Sequence, residues 1–481
     1  MTVAELTDRW GLPRLRRVKR SHLAVNSGYL MLTTVVNAGL GFLFWTVAAR
    51  RYPAAGVGLA TAILAAVNMA SILANLGLGP TIIQKLPTAS DDDHWSQILN
   101  AGIFGSLACG LAIGAVCLGI FPLVSSRFSS VTSTPALAAT IVMGTGFFSL
   151  SNILDYVFIA ERRADGVLSR NAAFGCLKIA LLFVPASLVG SSVVVIVCSW
   201  VMSYAAVSLI TVRVLIPGLG RHHRWGVRHV PTELRRLASH LAKNHLITLS
   251  GAAIPYLMPI AVVATLSTVQ NAYFYLAWLV ASILMSVSPS VAGALLAETS
   301  RRREDLVRQS RVGMWLSTAI ILPGCGLLVV LGRFLLGAFG AEYSHHSYGV
   351  LLLFCLVVWP DGVTNIYTTV LRVRGQEGLG AVLNILMAVV ALASALLLLH
   401  PLGIAGAAWG WLIGEIAGTL FVVSHFLLLR QRGAVPLAVI LPHPRGRHFR
   451  LHSRSTPHHD EIRLPEVLRA SPRSLDVSSH A

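Results

Sequence analysis

The chain has 481 residues, of which 55% are hydrophobic and only 12% are charged. Soluble globular domains carry roughly 25% charged residues, so this composition excludes a cytosolic enzyme and a disordered chain. The six cysteines lie inside apolar segments and form no CxxC pair, which excludes a secreted disulfide scaffold. Long apolar runs indicate a protein that crosses a membrane many times.

The net charge of +18 raises the question of a nucleic-acid partner. A nucleic-acid-binding domain gathers Lys and Arg on one soluble face. Here the basic residues stand between apolar runs, where they indicate membrane topology, and we expect no nucleic-acid partner. Residues 1–25 are basic and polar, and the apolar run that follows them is long enough to span a bilayer. We therefore expect no cleavable signal peptide.

Twelve apolar runs are each about 20 residues or longer, the length that a bilayer-spanning helix needs. They predict an all-α integral membrane protein with about 12 transmembrane helices. The run 98–124 is unusually long, and 171–189 contains Lys178. The predicted spans are 26–48, 56–78, 98–124, 136–159, 171–189, 192–215, 246–266, 271–295, 313–336, 348–371, 379–399 and 403–428.

The distribution of basic residues predicts the orientation, because Lys and Arg are retained on the cytoplasmic side of a membrane. With the N-terminus inside, 33 of the 38 basic residues fall in inside segments. Four fall outside, namely Arg50, Arg51, Arg127 and Arg333. This ratio predicts that both termini are cytoplasmic.

A polar loop at 216–243 divides the spans six and six. Its leucines recur at helical spacing, which predicts an amphipathic helix lying on anionic lipid. The tail contains six of the 17 histidines without a metal-binding spacing, and we expect neither metal nor cofactor. The predicted organisation is a basic N-terminus 1–25, an N-lobe 26–215, a linker 216–243, a C-lobe 244–430 and a disordered cytoplasmic tail 431–481.

The two halves of the sequence contain similar motifs. Asn152 precedes a glycine by 38 residues, and Asn365 does the same. Each half also has a proline near the end of its second span, at Pro80 and Pro289. An even number of spans in each half predicts parallel repeats, related by an axis along the membrane normal.

Motifs for covalent chemistry are absent from the sequence, which contains no Walker A, GxSxG or HExxH pattern. The predicted outside loops are too short to hold a catalytic domain. Transport is therefore the expected activity, and we do not expect an enzyme.

Polar groups inside spans are the candidate site residues. A central charge costs on the order of 2.5–3.5 kcal/mol in lipid, so it should face the protein interior or a watery cavity. The charged candidates are Lys178, Glu415 and Asp361, and the amide candidates are Asn37 and Asn75. Asparagines also serve simply to join helices, which is the alternative interpretation for that pair.

Two further candidates are Arg50 and Arg51, which lie on the side disfavoured for basic residues. They suggest an anionic partner such as a phosphate, or anchoring to lipid phosphate. Lys178 and Glu415 have uncharged counterparts 213 residues away in the other half, Ala391 and Met202. We therefore expect both charges to face a central cavity, with Lys178 attracting a diphosphate and Glu415 modulating that charge or carrying a proton.

Three stretches resemble a known family. They read VAARRYPAAGVGLATAILAAVNMASILANLGLGPTIIQKLP, LLGAFGAEYSHHSYGVLLLF and LRVRGQEGLGAVLNILMAVVALASALLLLHPLGIAGAAWGWLIGE. They resemble the O-antigen-type flippases of lipid-linked oligosaccharides, over about residues 20–430. That family belongs to the multidrug/oligosaccharidyl-lipid/polysaccharide (MOP) exporter superfamily, with the multidrug (MATE) exporters and the lipid II flippase.

The resemblance implies a V-shaped bundle of two six-helix lobes around a central cavity. It implies alternating access that moves a polyprenyl-diphosphate-linked oligosaccharide to the outer leaflet for surface polysaccharide synthesis, with other polysaccharide-assembly proteins as candidate partners. Cationic cavities occur among such flippases, and Lys178 matches that feature by charge, with Arg50 and Arg51 matching by position. A multidrug or metabolite antiporter and a non-transporting assembly protein are the alternatives.

Overall fold

A computed structural model describes residues 22–75, 77–238, 241–299 and 306–431. The first half of the bundle contains nine helices, because turns and short helices interrupt the long ones. Their bounds are α1 His22–Arg51, α2 Ala54–Ala74, α3 Leu78–Lys85, α4 Asp92–Val124, α5 Ser129–Ser133, α6 Pro135–Ala160, α7 Ala164–Leu181, α8 Ala186–Val189 and α9 Ser192–Ile210.

The rest of the described chain contains eight helices. They are α10 Val230–Ala238, α11 Leu241–Thr265, α12 Thr268–Met285, α13 Val287–Thr299, α14 Leu306–Gly337, α15 Ala341–Val373, α16 Glu377–Leu402 and α17 Ile404–Gln431. Eleven helical segments in the described ranges are long and apolar enough to cross a membrane. Large apolar side chains such as Phe334, 78% exposed, cover the outside of the bundle, as a lipid-facing surface requires.

Equivalent helices recur at a nearly constant distance along the sequence. The helices that start at 54 and 164 have counterparts that start at 268 and 377, which are offsets of 214 and 213 residues. The packing recurs as well, because α1 packs on α7 as α11 packs on α16, and α4 on α6 as α14 on α15. This pattern supports the predicted repeat, whose superposition remains a prediction.

The second helix is interrupted at the same place in both halves. The sequence predicted continuous spans over 56–78 and 271–295, but α2 ends at Ala74 and α12 ends at Met285. A short helix containing Pro80 or Pro289 follows each interruption. Proline supplies no backbone N–H to a preceding turn, and this explains why a new helix starts close to it.

The fifth predicted span lies differently from the expectation of 171–189. The helix α7 starts at Ala164 and ends at Leu181, before a turn that leads to Pro185. It has 18 residues and contains Asp165, Arg170 and Lys178, so it is not among the eleven apolar spans. It nevertheless packs on α1 and α9 as the twelfth long helix of the bundle.

This shift moves Arg170 from an expected cytoplasmic turn into the interior of the first half, where it is 2% exposed. Its guanidinium forms an ion pair with Asp155 of α6, and its Nε donates to Thr211 Oγ1 at 2.8 Å. The Asn171 amide donates to the other Asp155 oxygen at 3.2 Å. The buried charge is thus compensated by a partner on the neighbouring helix.

The predicted linker helix is present as α10, which packs on α4 with Leu234 over Gly105. The residues that precede α10 in the sequence lie alongside the first turns of α4. Asn100 Nδ2 donates to the Arg224 carbonyl at 2.8 Å, and burial lowers the pKa of the neighbouring His223. The linker is therefore attached to the first half of the bundle, whereas its contact with lipid remains a prediction. The N-terminal residues 1–21 and the tail from 432 lie outside the described ranges.

The two halves meet through α2, which packs on both α11 and α12. Near the start of α2, a Cβ on Gly58 would lie only 1.7 Å from the Thr268 carbonyl oxygen. The fully buried Asn271 donates from Nδ2 to the Gly58 carbonyl at 2.7 Å and to Thr61 Oγ1 at 2.9 Å. Only glycine permits this approach of the two helix backbones.

Two arginines of the first half bind helix ends of the second half. Arg50 donates to the carbonyls of Gly337 and Ala338 at 3.1 and 2.6 Å, where α14 ends. Arg127 donates to the Val263 carbonyl at 2.6 Å, near the end of α11. Terminal helix carbonyls lack intrahelical partners and carry partial negative charge, so guanidinium groups bind them well. We call this region, with the connections after α1, α4, α11 and α14, the closed end.

Candidate functional site

A cavity of about 280 Å³ opens between the halves, away from the closed end. It is lined by residues from the end of α2, from α3, from the second part of α6 and from the first part of α11. The lining combines aromatic and apolar groups with uncharged polar ones. The polar lining residues are Asn75, Asn152, Tyr156, His245, Thr248 and Tyr256.

Neighbouring residues fix the orientation of two polar lining groups. Ser149 Oγ donates to Asn75 Oδ1 at 2.7 Å, which leaves the two N–H donors of Asn75 for another partner. A Cβ on Gly79 would lie 2.3 Å from the Tyr156 ring, so glycine at that position leaves space for the ring. The interruption between α2 and α3 therefore shapes the cavity directly.

His245 places an unsatisfied ring nitrogen in the cavity. Its Nε2 is buried and has no hydrogen-bond partner in the described structure. A buried polar atom without a partner costs about 1–3 kcal/mol, so such an atom in a cavity indicates a place for a bound group.

Lys178 occupies an aromatic cage inside the first half. Its Nζ lies 5.1, 4.7 and 4.2 Å from the ring centroids of Phe44, Phe174 and Trp200. The residue is 5% exposed, and among the described residues it forms no ion pair. Cation–π attraction of about 2 kcal/mol in a desolvated site compensates part of its burial. Lys178 does not line the 280 Å³ cavity.

We expect Lys178→Ala to abolish transport while the protein remains in the membrane at near-normal abundance. Lys178→Arg should keep part of the activity, since a cation remains within the aromatic cage. Transport and membrane abundance are measured side by side for both variants. Arg333→Ala is the matched control, because Arg333 also lies over a ring, 4.9 Å from Tyr348, but is exposed. Normal transport by Lys178→Ala would show that the caged cation is not needed for transport.

Asp361 and Glu415 come together between α15 and α17. Glu415 is 2% exposed and accepts a hydrogen bond from Thr364 Oγ1 at 3.0 Å, and Thr364 lies about one turn after Asp361 on α15. The Asp361 Oδ2 atom is buried without a partner in the described ranges. A buried carboxylate without a counter-charge is costly, so these two side chains are candidates for a proton-binding pair.

The remaining predicted site residues are dispersed. Arg50 binds helix carbonyls at the closed end, and the Arg51 guanidinium carbon lies 5.4 Å from the Phe183 ring. Asn37 Nδ2 donates to Asn171 Oδ1 at 3.1 Å and so joins α1 to the Asp155 network. Asn75 lies in the cavity. The structure thus brings together Asp361 and Glu415 but neither with Lys178.

Several cavity residues were not candidates from the sequence, namely Tyr156, His245, Thr248 and Tyr256. Tyrosine and threonine are ordinary in membrane spans, so their identity alone carries no signal. Tyr256 follows Pro255 inside α11, and the two prolines of this span, Pro255 and Pro259, are the sequence signal that could have pointed to it. Within the described ranges, no cluster of three His, Cys, Asp or Glu side chains is arranged to hold a metal ion.

Residues 23–224 match a family model described as polysaccharide biosynthesis protein. The match extends from α1 through α9 into the linker, so it covers the part of the chain that contributes α2, α3 and α6 to the cavity. None of the curated proteins matches the sequence significantly.

Two kinds of solved structure share the fold. One is an inward-facing multidrug resistance MATE family transporter of the MOP superfamily, at 16% identity and TM-score 0.63, covering 82% of this chain and 94% of that one. Another is the lipid II flippase MurJ in an inward closed conformation, at 12% identity and TM-score 0.63, covering 85% and 88%. An outward-facing MATE transporter matches with TM-score 0.55 at 15% identity, covering 85% and 95%.

The chain thus has the fold of these transporter structures, and its eleven long apolar helices are those of a multi-pass membrane protein. The polysaccharide-biosynthesis match over residues 23–224 and the likeness in fold to MATE transporters and MurJ support the resemblance noted in the sequence.

Proposed function

We propose that this protein moves a polyprenyl-diphosphate-linked oligosaccharide from the inner to the outer leaflet of a bacterial plasma membrane, for cell-surface polysaccharide synthesis. The observation that carries the proposal is the polysaccharide-biosynthesis match over the half that supplies α2, α3 and α6 to the cavity. The closed end at one side of the bundle and the cavity toward the other support alternating access. Anionic lipid and other polysaccharide-assembly proteins are the proposed partners.

The Asp361–Glu415 pair supplies the coupling step in this proposal. Proton uptake by one carboxyl group neutralises a buried charge between α15 and α17, and its release restores that charge. This changes the relative stability of two packings of the second half and so resets the transporter. The same pair would serve a multidrug or metabolite antiporter with this fold, which is the second candidate function.

A leaflet-specific assay of lipid-linked glycan in cells that lack the protein tests the proposal. We expect lipid-linked repeat units to accumulate in the inner leaflet and surface glycan to disappear. Loss of drug resistance without any change in glycan would support the antiporter instead. A glycan defect that is restored equally well by a chain with Asp361→Asn and Glu415→Gln would indicate an assembly protein that does not transport.

The proposed orientation places both termini and the linker in the cytoplasm, with the closed end outside. We expect single cysteines at Trp225 and Asp460, on a chain that lacks the six native cysteines, to resist an impermeant reagent added outside. A single cysteine at Ser126 should react, because it lies in a connection at the closed end. Labelling of position 225 or 460 in intact cells would contradict the proposed orientation.

A further inference from the structure

We propose that the cavity between α2, α3, α6 and α11 binds uncharged sugar residues of the substrate, and that the diphosphate stays outside it. This inference rests on the proposed flippase function and deepens it, since it assigns one part of the substrate to one site.

The charge of the lining is the first observation. None of the eleven described residues that line the cavity is Lys, Arg, Asp or Glu. A diphosphate taken from water into such a site would lose its hydration without gaining a compensating cation, which is costly. The buried lysine of this half, Lys178, is enclosed by its own aromatic cage and does not line the cavity.

The hydrogen-bonding capacity of the lining is the second observation. Within the described ranges His245 Nε2 is buried without a partner, and Ser149 donates to the Asn75 oxygen, so the free hydrogen-bonding capacity of Asn75 lies in its N–H donors. Asn152 adds an amide from α6. Amides and imidazoles both donate and accept, which is what the hydroxyl groups of a sugar require. Three helices therefore present neutral polar groups to one small volume.

The shape of the site is the third observation. The rings of Phe148, Tyr156 and Tyr256 give the cavity apolar faces, and a sugar ring has apolar C–H faces that pack on such rings. The volume of about 280 Å³ lies just below the usual range of about 300–1,000 Å³ for ligand pockets. A site of this size holds a small part of a glycan while the rest extends toward the open side.

Protection of a cysteine in the cavity tests the proposal. The reporter is Thr248→Cys on a chain without the six native cysteines, kept only if it still restores surface glycan. Two probes are compared in purified, lipid-embedded protein. The first is the lipid-linked oligosaccharide extracted from cells that lack this protein, and the second is the polyprenyl diphosphate without sugar.

We expect the sugar-bearing lipid to slow maleimide labelling about fivefold at a concentration of about four times Kd, because only the unoccupied fraction reacts. The sugar-free diphosphate should leave the rate unchanged. Asn152→Ala should remove most of the protection. Asn68→Ala is its control, since the Asn68 amide donates within α2 to the Leu64 carbonyl at 2.6 Å.

Equal protection by both probes would overturn the proposal, because the cavity would then hold the diphosphate. No protection by either probe, with surface glycan restored by the same chain, would also overturn it and leave the flippase function standing. If cells lacking the protein accumulate no lipid-linked oligosaccharide at all, the proposed function itself fails, and the sugar site fails with it.

Discussion

Asp155→Asn should destabilise the protein severely, because it leaves the Arg170 guanidinium buried without its counter-charge. Removal of one partner from a buried ion pair costs roughly 3–5 kcal/mol. Arg170 is 2% exposed and its remaining partners, Thr211 and Ser151, are neutral. We expect a clear drop in the thermal midpoint of the purified protein and a lower amount in the membrane.

The matched control is Asp165→Asn, one turn before Arg170 on the same helix. The Asp165 carboxylate pairs with Arg163 at 3.0 Å, but the two side chains are 43% and 52% exposed. Exposed pairs contribute about 0–1 kcal/mol, so this variant should remain close to the parent. Joint replacement as Asp155→Asn with Arg170→Met should recover much of the loss. Equal thermal midpoints for Asp155→Asn and Asp165→Asn would show that the buried pair is not structurally important.

Gly58→Ala should open the closed end and stop transport. The added Cβ would lie 1.7 Å from the Thr268 carbonyl oxygen and 2.9 Å from the Ala272 backbone nitrogen. Backbone atoms inside two packed helices cannot rotate away, so α2 and α12 must separate and the Asn271 hydrogen bonds must break. The state described here becomes less populated, and we expect transport to fall at least about tenfold, equivalent to 1.4 kcal/mol.

A single cysteine at Thr61 reports on this opening, because Thr61 is 1% exposed beside Asn271. We expect an impermeant reagent added outside to label it much faster in the Gly58→Ala chain. Gly119→Ala serves as control, since nothing lies within 4 Å of the added Cβ at that exposed helix position. Unchanged labelling and transport in Gly58→Ala would show that close approach at this point is unnecessary.

The membrane explains why so much of the fold could be predicted from the sequence. A spanning helix must satisfy every backbone hydrogen bond internally and must be long enough to cross the bilayer, so each apolar run indicates one helix. The predicted bounds of the fifth span were wrong because charged residues of α7 lie inside the bundle. Arg170 looked like a residue of a cytoplasmic turn, because the sequence does not show that Asp155, 15 residues earlier, lies opposite it on α6.

The candidate site was less predictable for a physical reason. Charge marks Lys178, Asp361 and Glu415 in the sequence, because charge is costly in lipid. Whether such a residue meets a cavity, a carboxyl group or a ring depends on which helix faces pack together. Tyr156 and His245 line the cavity because the helix is interrupted after α2 and because α11 packs close to that point. That information exists only in the packing of the two halves.

Arg50 and Arg127 hold the closed end through main-chain carbonyls of α14 and α11. Every amino acid supplies the same carbonyl, so these contacts place no requirement on the side chains of the acceptor residues Gly337, Ala338 and Val263. Pairwise co-variation in an alignment would therefore miss these contacts. We expect instead that each arginine is conserved on its own, without a matching change at the helix end that it contacts.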